Sequence, residues 1–461
     1  MGQRNLPGIV FDLLRNRHRG AAEIASLRQE RLARLIGFAR EKSPYYRKLY
    51  ERLPARVTDV RMLPPVAKGD LMENFDEWVT DPTVRRRDAE AFVSDPARIG
   101  SLFRERFVAF ATSGTSGRPA VFLQDGDAAR FYAAIAVTRR LPSLLAPRTL
   151  RSLLLQGGRT AMVITTGGHF TSSVIEGLFR GRHPILARRS RAFSILAPLP
   201  ELTRALNDYR PAVLGGYPTA ITLLAQEQAA GRLKIHPGVV LTGAERLSPF
   251  AREQISATFR CPVRDTYAAS EFMGIAFDCR HGRLHINADW LILEPVDTAY
   301  RPVPPGRPSH TCLLTNLVNR IQPILRYELG DSVTFLPTPC PCGNALPVIE
   351  LAGRSDETLC FRGPGGETAQ VLPMAIATLV EETPGVRNYQ AIQREPSSLI
   401  LRIEEVPGFE RRMVTDAVTV RLRGHLAAQG FRWITVEATE EMPRRDPAGG
   451  KLRQVYSEFN P

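Results

Sequence analysis

Thr112, Ser113, Gly114, Thr115, Ser116 and Gly117 set four hydroxyl side chains beside two glycines, so backbone amides and hydroxyls can converge on the oxygens of a phosphate chain. The surrounding stretch, Phe110 to Leu123, reads FATSGTSGRPAVFL. It is not a Walker loop, because no Gly-Lys-Ser/Thr ending follows, and it lacks the glycine triplet of a dinucleotide loop. A Ser/Thr/Gly run standing alone is ordinary turn chemistry, so the residues that accompany it carry the weight. A second set reads as metal ligands. Cys279 and His285 are separated by five residues, and Cys340-Pro341-Cys342-Gly343 follows. Three soft sulfurs and one imidazole suit a tetrahedral zinc ion. With four protein ligands no position is left for water, so such a zinc would be structural and would pin the Cys279 hairpin to the later connection. His281 competes as the imidazole, and reduced thiols without metal are the alternative. Cys261, Cys312 and Cys360 have no partner pattern and read as small buried residues.

The elements that must position these groups are legible in outline. Ser26 to Leu53 reads as a helical region, because Leu32, Leu35, Ile36 and Ala39 recur at helical spacing. Pro64 and Pro65 punctuate the chain before a polar helical stretch. From Leu150 to Gly243, short apolar runs at Leu153 to Leu155, Ala161 to Ile164, Ala212 to Leu214 and Val239 to Leu241 end in glycine-rich or polar turns. They alternate with helical segments such as Ala220 to Ala230. That alternation predicts parallel strands with helical crossovers, an α/β core whose ligands gather at the carboxyl ends of the strands. Those ends carry Gly168-His169-Phe170, Gly216-Tyr217-Pro218, Gly243-Ala244-Glu245 and Tyr267 to Glu271.

Composition sets the frame. The 461 residues suffice for two or three domains, and 43% apolar with 23% charged residues is ordinary for a soluble chain. The net charge of +14 comes mostly from scattered arginines without the aromatic interleaving of a nucleic-acid surface. No apolar run approaches a membrane span, and the start lacks the features of a cleaved signal, so a cytoplasmic location is expected. Six cysteines are too few for a disulfide framework. Neither a Gly-x-Ser-x-Gly elbow nor a His-Glu-x-x-His motif is present.

Taken in order, the glycine loop, Gly243-Ala244-Glu245, Tyr267 to Glu271, Arg326-Tyr327-Glu328-Leu329-Gly330-Asp331 and Gly353-Arg354-Ser355-Asp356-Glu357 resemble the series in acyl-adenylate-forming enzymes, in the phenylacetate-coenzyme A ligase branch. The resemblance covers roughly residues 25 to 455. It implies a large α/β adenylation domain of several subdomains, residues 1–353, and a small mobile α+β domain, residues 354–461, on a hinge near Arg354. Thr112 to Gly117 would hold the β- and γ-phosphates of ATP, with Arg118 where relatives often have lysine. Tyr267 would stack on adenine, with Gly243, Ala244 and Glu245 bordering the base and Ser270 in the same nucleotide-facing segment. Glu271 would hold magnesium, a role for a hard oxygen ligand, and Asp331 would accept both ribose hydroxyls. Ala268 stands where many relatives have glycine.

Near the end, Pro447 to Arg453 resembles the loop whose lysine, here Lys451, enters the first-step site as a cation beside the α-phosphate. After adenylation the small domain would rotate about Asp356 or Glu357 and present the Arg354 to Gly366 face. Phe361 to Gly366 departs from the commoner pattern, which bears on the thiol acceptor. His169 could sense the substrate carboxylate, with a satisfied core histidine as the alternative. The cysteine set also resembles zinc sites in this branch. The implied activity joins a small, preferably aromatic carboxylic acid to AMP and passes the acyl group to coenzyme A, using ATP and Mg2+. Transfer to a carrier-protein phosphopantetheine, or to an amine or hydroxyl, is the competing enzyme reading. A zinc-stabilised nucleotide-binding protein is the competing non-enzyme. A homodimer is the commonest assembly for such proteins that oligomerise.

Overall fold

The computed structural model describes residues 6–16, 19–112, 120–166, 169–182, 184–351, 359–363, 365–444 and 453–459. Its described residues fall into two compact units, the first drawn from 1–111, 120–146 and 264–352, the second from 112–119, 147–263 and 353–461.

In the first unit, Ala21–Lys42 and Pro44–Leu49 form two helices, where the sequence predicted one region through Leu53. Ser43 ends the first helix in an extended conformation and caps the second, whose first turn begins with Pro44. A proline is pre-set for a first helical turn but cannot continue a preceding one, so the break falls there. The apolar stripe at Leu32, Leu35, Ile36 and Ala39 is buried, as its spacing predicts. Five antiparallel strands lie in the order Val333–Phe335, Val348–Leu351, Leu284–Ile286, Phe272–Asp278 and Val263–Ala269. A second antiparallel sheet orders Leu291–Val296, Thr311–Asn316 and Ile324–Glu328.

The second unit contains the predicted parallel core. Strands Val239–Gly243, Val213–Gly216, Thr160–Ile164 and Ser190–Ser194 lie side by side in that order, all parallel. The first three are nearly continuous in apolar or glycine residues, which suits strands covered on both faces, whereas Ser190–Ser194 at the sheet's end buries only Phe193. Leu153 to Leu155, predicted as a short strand, instead closes the helix Pro147–Leu155. A run of three apolar residues has the same appearance in either state, and long-range contacts decide here. Thr149 Oγ1 donates to the Gly238 carbonyl at 3.1 Å and Ser152 Oγ to the His236 carbonyl at 3.3 Å, so the helix turns its polar side inward.

The chain after residue 359 builds its own core. Four strands, in the order Thr435–Thr439, Ser398–Glu405, Val386–Glu395 and Val455–Ser457, accompany helices Pro373–Glu381 and Arg411–Ala428. Leu401, Val418 and Leu422 are among its fully buried members. This is the α+β composition expected for the C-terminal segment.

Candidate nucleotide and metal sites

Glu271 occupies the tight connection between Val263–Ala269 and Phe272–Asp278, next to a bulge in which Met273 to Ile275 stand opposite Ala268 alone. A bulge at a strand end re-aims the side chains beside it. Glu271 is buried, and Tyr327 donates its hydroxyl to Oε1 at 2.7 Å. The Glu271 carbonyl accepts from Asn316 Nδ2 at 2.7 Å, and the same amide donates to the Tyr132 hydroxyl at 2.9 Å. Both the backbone and the carboxylate of Glu271 are therefore fixed from neighbouring strands. Tyr267, four residues earlier, donates its hydroxyl to Asp331 Oδ2 at 2.8 Å. Two carboxylates and two phenols thus form two matched pairs in the first unit.

The electrostatics keep these pairs in their donor–acceptor forms. Burial, with the Asp331 charge behind it, pushes the Tyr267 phenol far up; burial and Glu271 do the same to Tyr327. Both phenols stay protonated and donate. Arg326, with φ +47 where the register shifts just before Tyr327, is buried against Glu294 at 3.2 Å and donates to the Leu63 carbonyl at 2.6 Å. Arg326 thereby anchors the strand that delivers Tyr327 and, after Gly330, Asp331. Gly330 has φ +77, a left-handed turn that glycine accepts without strain.

In the second unit, Gly243 ends its strand and the exposed Ala244 turns the chain with φ +70. The turn delivers Glu245 to the start of the helix Pro218–Ala229. There Oε2 accepts from the Thr219 amide at 3.0 Å and its hydroxyl at 2.7 Å. A carboxylate at a helix N-terminus satisfies orphan amides and meets the positive end of the dipole. Glu245 therefore fastens the strand end to the helix. His169 is buried. Nearby in sequence, Thr165 joins a hydroxyl network: Tyr217 donates to Thr165 Oγ1 at 3.3 Å, and Thr165 and Thr378 hydroxyls lie 3.2 Å apart.

The cysteine set converges. One ligand atom from each of Cys279, His285, Cys340 and Cys342 lies within 4.8 Å of the others. The Cys279 and Cys340 sulfurs are 3.6 Å apart, close to the roughly 3.8 Å that two 2.3 Å bonds to a tetrahedral zinc require. Cys342 Sγ and His285 Nε2 are 3.3 Å apart. His285 Nδ1 faces the Leu346 carbonyl at 3.0 Å; donating there leaves Nε2 as a lone-pair ligand toward the sulfurs. Backbone amides of His281 and Asn344 donate to the sulfurs of Cys279 and Cys342, each at 3.4 Å. Burial lowers the His285 pKa, favouring the neutral imidazole that binds metal. Burial, with the Cys340 and Cys279 sulfurs beside it, pushes the Cys342 thiol up to about 11. Only as thiolates on a cation would the three sulfurs and the imidazole all act as ligands, and the donor set fits zinc. His281 is exposed and not part of the group.

Several expectations fall otherwise. Cys261 and Cys312 are buried, but Cys360 is exposed, because the strand Leu359–Arg362 alternates and turns Leu359 and Phe361 inward instead. Ser113, Gly114, Thr115, Ser116, Gly117, Arg354 and Lys451 lie outside the described residues; Thr112 ends the strand Val108–Thr112 that leads to the loop. Ser270 sits in the connection beside Glu271. The sequence reading missed Tyr327 and Asn316 as the holders of Glu271, and Thr219 as the partner of Glu245. Tyr327 at least stood inside the segment that supplied Asp331.

No family model matches the chain. Across 471 aligned residues it is 23% identical to the phenylacetate-coenzyme A ligase of Thermus thermophilus, covering 94% of this chain and 96% of that protein. The likeness to that ligase runs over nearly the whole of both chains. Protein CapK of Staphylococcus aureus is 21% identical over 397 residues, 84% of this chain and 79% of CapK. Among solved structures, 2-hydroxyisobutyryl-CoA ligase in complex with 2-HIB-AMP and CoA aligns with a TM-score of 0.58 at 21% identity, covering 96% of this chain and 92% of that one. The same ligase in its postadenylation state with 2-HIB-AMP gives 0.56 at 20% identity, over 96% and 91%. The α/β architecture is thus the adenylate-forming ligase fold.

Proposed function

We propose that this protein is an AMP-forming acid–thiol ligase, which converts a carboxylic acid and ATP to an acyl-adenylate and passes the acyl group to coenzyme A. The observation that carries the reading is the pairing of Tyr267 with Asp331 and of Tyr327 with Glu271. It presents two carboxylates on rigid strand ends, one suited to vicinal ribose hydroxyls and one to a hard cation. Mg2+ held by Glu271 would neutralise phosphate charge; the residues around Glu271 fix its backbone and one carboxylate oxygen. Phosphate contacts from Thr112 to Gly117 and a transition-state cation from Lys451 complete the proposed chemistry, with Arg354 near the pivot between residues 1–353 and 354–461. An aryl or arylacetic acid is the favoured substrate, supported by the full-length likeness to the Thermus phenylacetate-coenzyme A ligase. Structural Zn2+ at Cys279, His285, Cys340 and Cys342 joins the hairpin at 279–285 to the 340–342 segment.

Acid-dependent ATP–pyrophosphate exchange across aryl, arylacetic and aliphatic acids tests the first half-reaction, and AMP release with and without coenzyme A tests the second. Exchange with aromatic acids and a coenzyme A response are expected. Exchange without that response would replace coenzyme A by a carrier protein or another acceptor. Absence of exchange with every acid, despite measurable ATP binding, would sink the ligase reading.

A further inference from the structure

The helix Pro147–Leu155 is inside out. Thr149 and Ser152 face the protein, and a Cβ added to Gly238 would stand 2.7 Å from Ser152 Cβ and from Thr149 Cα. The polar face is therefore packed so closely that the helix cannot roll to hide its leucines. Leu154 is 84% exposed, Leu155 74% and Leu150 40%. Ile185, 78% exposed, lies on the short helix Pro184–Ala187, which leads into the strand Ser190–Ser194 just as the first helix leads into Thr160–Ile164. These strands are parallel neighbours, with Thr160 opposite Ser190, so both apolar segments emerge at the amino-terminal end of the sheet. The Arg189 side chain comes within 3.8 Å of a Cβ built on Gly158, which ties the two segments together.

The charge around this edge is one-sided. Residues 147–191 contain eight arginines and a single acid, Glu176, which Arg180 already pairs at 2.7 Å. Arg148, Arg151, Arg188 and Arg189 are exposed. Arg159, Arg180 and Arg191 surround the Tyr209 phenol, which itself donates to the Arg189 carbonyl at 2.8 Å. Exposed leucines among arginines, with no unpaired acid within residues 147–191 and Asp208 the exposed acid on the neighbouring helix end, match a surface that is apolar beneath and anionic above. A second copy fits poorly, because a two-fold interface would set arginine against arginine. Nucleic acid fits poorly as well, since neither Phe170 nor Phe179, the aromatics of this stretch, is exposed for base stacking.

We propose that this edge of the second unit docks reversibly on an anionic lipid surface, with Leu150, Leu154, Leu155 and Ile185 entering the interface and the flanking arginines meeting lipid phosphates. Docking there leaves the opposite, carboxyl ends of the parallel strands, where Tyr217 and Gly243 to Glu245 lie, facing away from the membrane. The inference does not depend on which acid the enzyme activates.

Cosedimentation of the full chain with vesicles of phosphatidylcholine, with or without about one-third phosphatidylglycerol, tests it. The expected result is retention on anionic vesicles only, weakened by salt. Leu154→Ser/Leu155→Ser should reduce partitioning by roughly tenfold per leucine, and Arg148→Glu/Arg151→Glu by at least about tenfold. Thermal midpoint and adenylation in vesicle-free solution should be unchanged in both, so failure of docking and failure of the ligase reading stay separate. The proposal is overturned if wild-type protein ignores anionic vesicles, or if the leucine variant binds as well as wild type, which would mean charge adsorption alone. Self-association lost in the leucine variant, without vesicle binding, would overturn it in favour of a second copy.

Discussion

Around Glu271 and Asp331 the carboxylates already have hydroxyl donors at 2.7 and 2.8 Å, whereas around Cys279 and His285 four electron-pair donors crowd one another. The first site is complete as protein chemistry: each negative charge has a phenol whose own ionisation is suppressed by burial. Removing an outside ligand should barely change its stability. The second places sulfurs 3.6 Å apart, too far for a disulfide at about 2.05 Å and too close for comfortable thiolates, so its stability should depend on a cation. Carboxylates already satisfied by protein donors and a cluster of crowded lone pairs are thus separated within one unit.

Metal removal should give the largest effect. Purified protein should contain about one zinc per chain, and strong chelation or Cys342→Ser should cost several kcal/mol, read as a lower and broader thermal transition. Zinc-free protein of undiminished stability would break the contrast. Acid should act in the same direction. Burial holds the His285 pKa below its ordinary 6.5, so as pH falls below that value the unfolded chain takes up the proton first and stability drops. The phenols are shifted oppositely: their contribution persists below the ordinary tyrosine value of 10.0 and is lost only as pH rises through their higher folded values. Between about pH 7.5 and 5.5, the loss of stability should accompany zinc release and be much smaller in Cys342→Ser.

At the carboxylate pairs the same test should strike activity instead. Glu271→Gln should lower pyrophosphate exchange by roughly a hundredfold by weakening the metal–phosphate interaction, with the thermal midpoint nearly unmoved. A large loss of stability with little loss of exchange would reverse the roles assigned to the two sites. Tyr327→Phe is milder: it removes one buried hydrogen bond, costs about 1–2 kcal/mol and leaves Glu271 less well aimed. Exchange should fall by roughly tenfold, recoverable in part by raising Mg2+ if the loss is one of cation binding.

What the sequence made legible follows the same division. Cys279, His285, Cys340 and Cys342 could be named together because ligand type and spacing carry chemical meaning without a fold. Tyr267, Glu271 and Asp331 were recognisable as members of an ordered series. Their pairing was not, because Tyr327 meets Glu271 across 56 residues and Thr219 meets Glu245 across 26. Strand register, rather than local pattern, creates those contacts. The helix Pro147–Leu155 shows the same limit from the other side. Its leucines look like a buried run until Thr149 and Ser152 find carbonyls at Gly238 and His236, which no local rule reveals.

Cys360→Ser should give the smallest effect and sharpen the contrast among the cysteines themselves. Cys360 is exposed on the strand Leu359–Arg362, outside the cluster of four ligands. Replacing sulfur by oxygen there removes a soft ligand without opening a core cavity, so stability should stay within about 0.5 kcal/mol. Zinc content measured by atomic absorption should be unchanged, while Cys340→Ser should lose most of it. If Cys360→Ser also lost zinc, cysteine number rather than the geometry at 279, 285, 340 and 342 would govern binding, and the contrast between a converged site and scattered thiols would collapse.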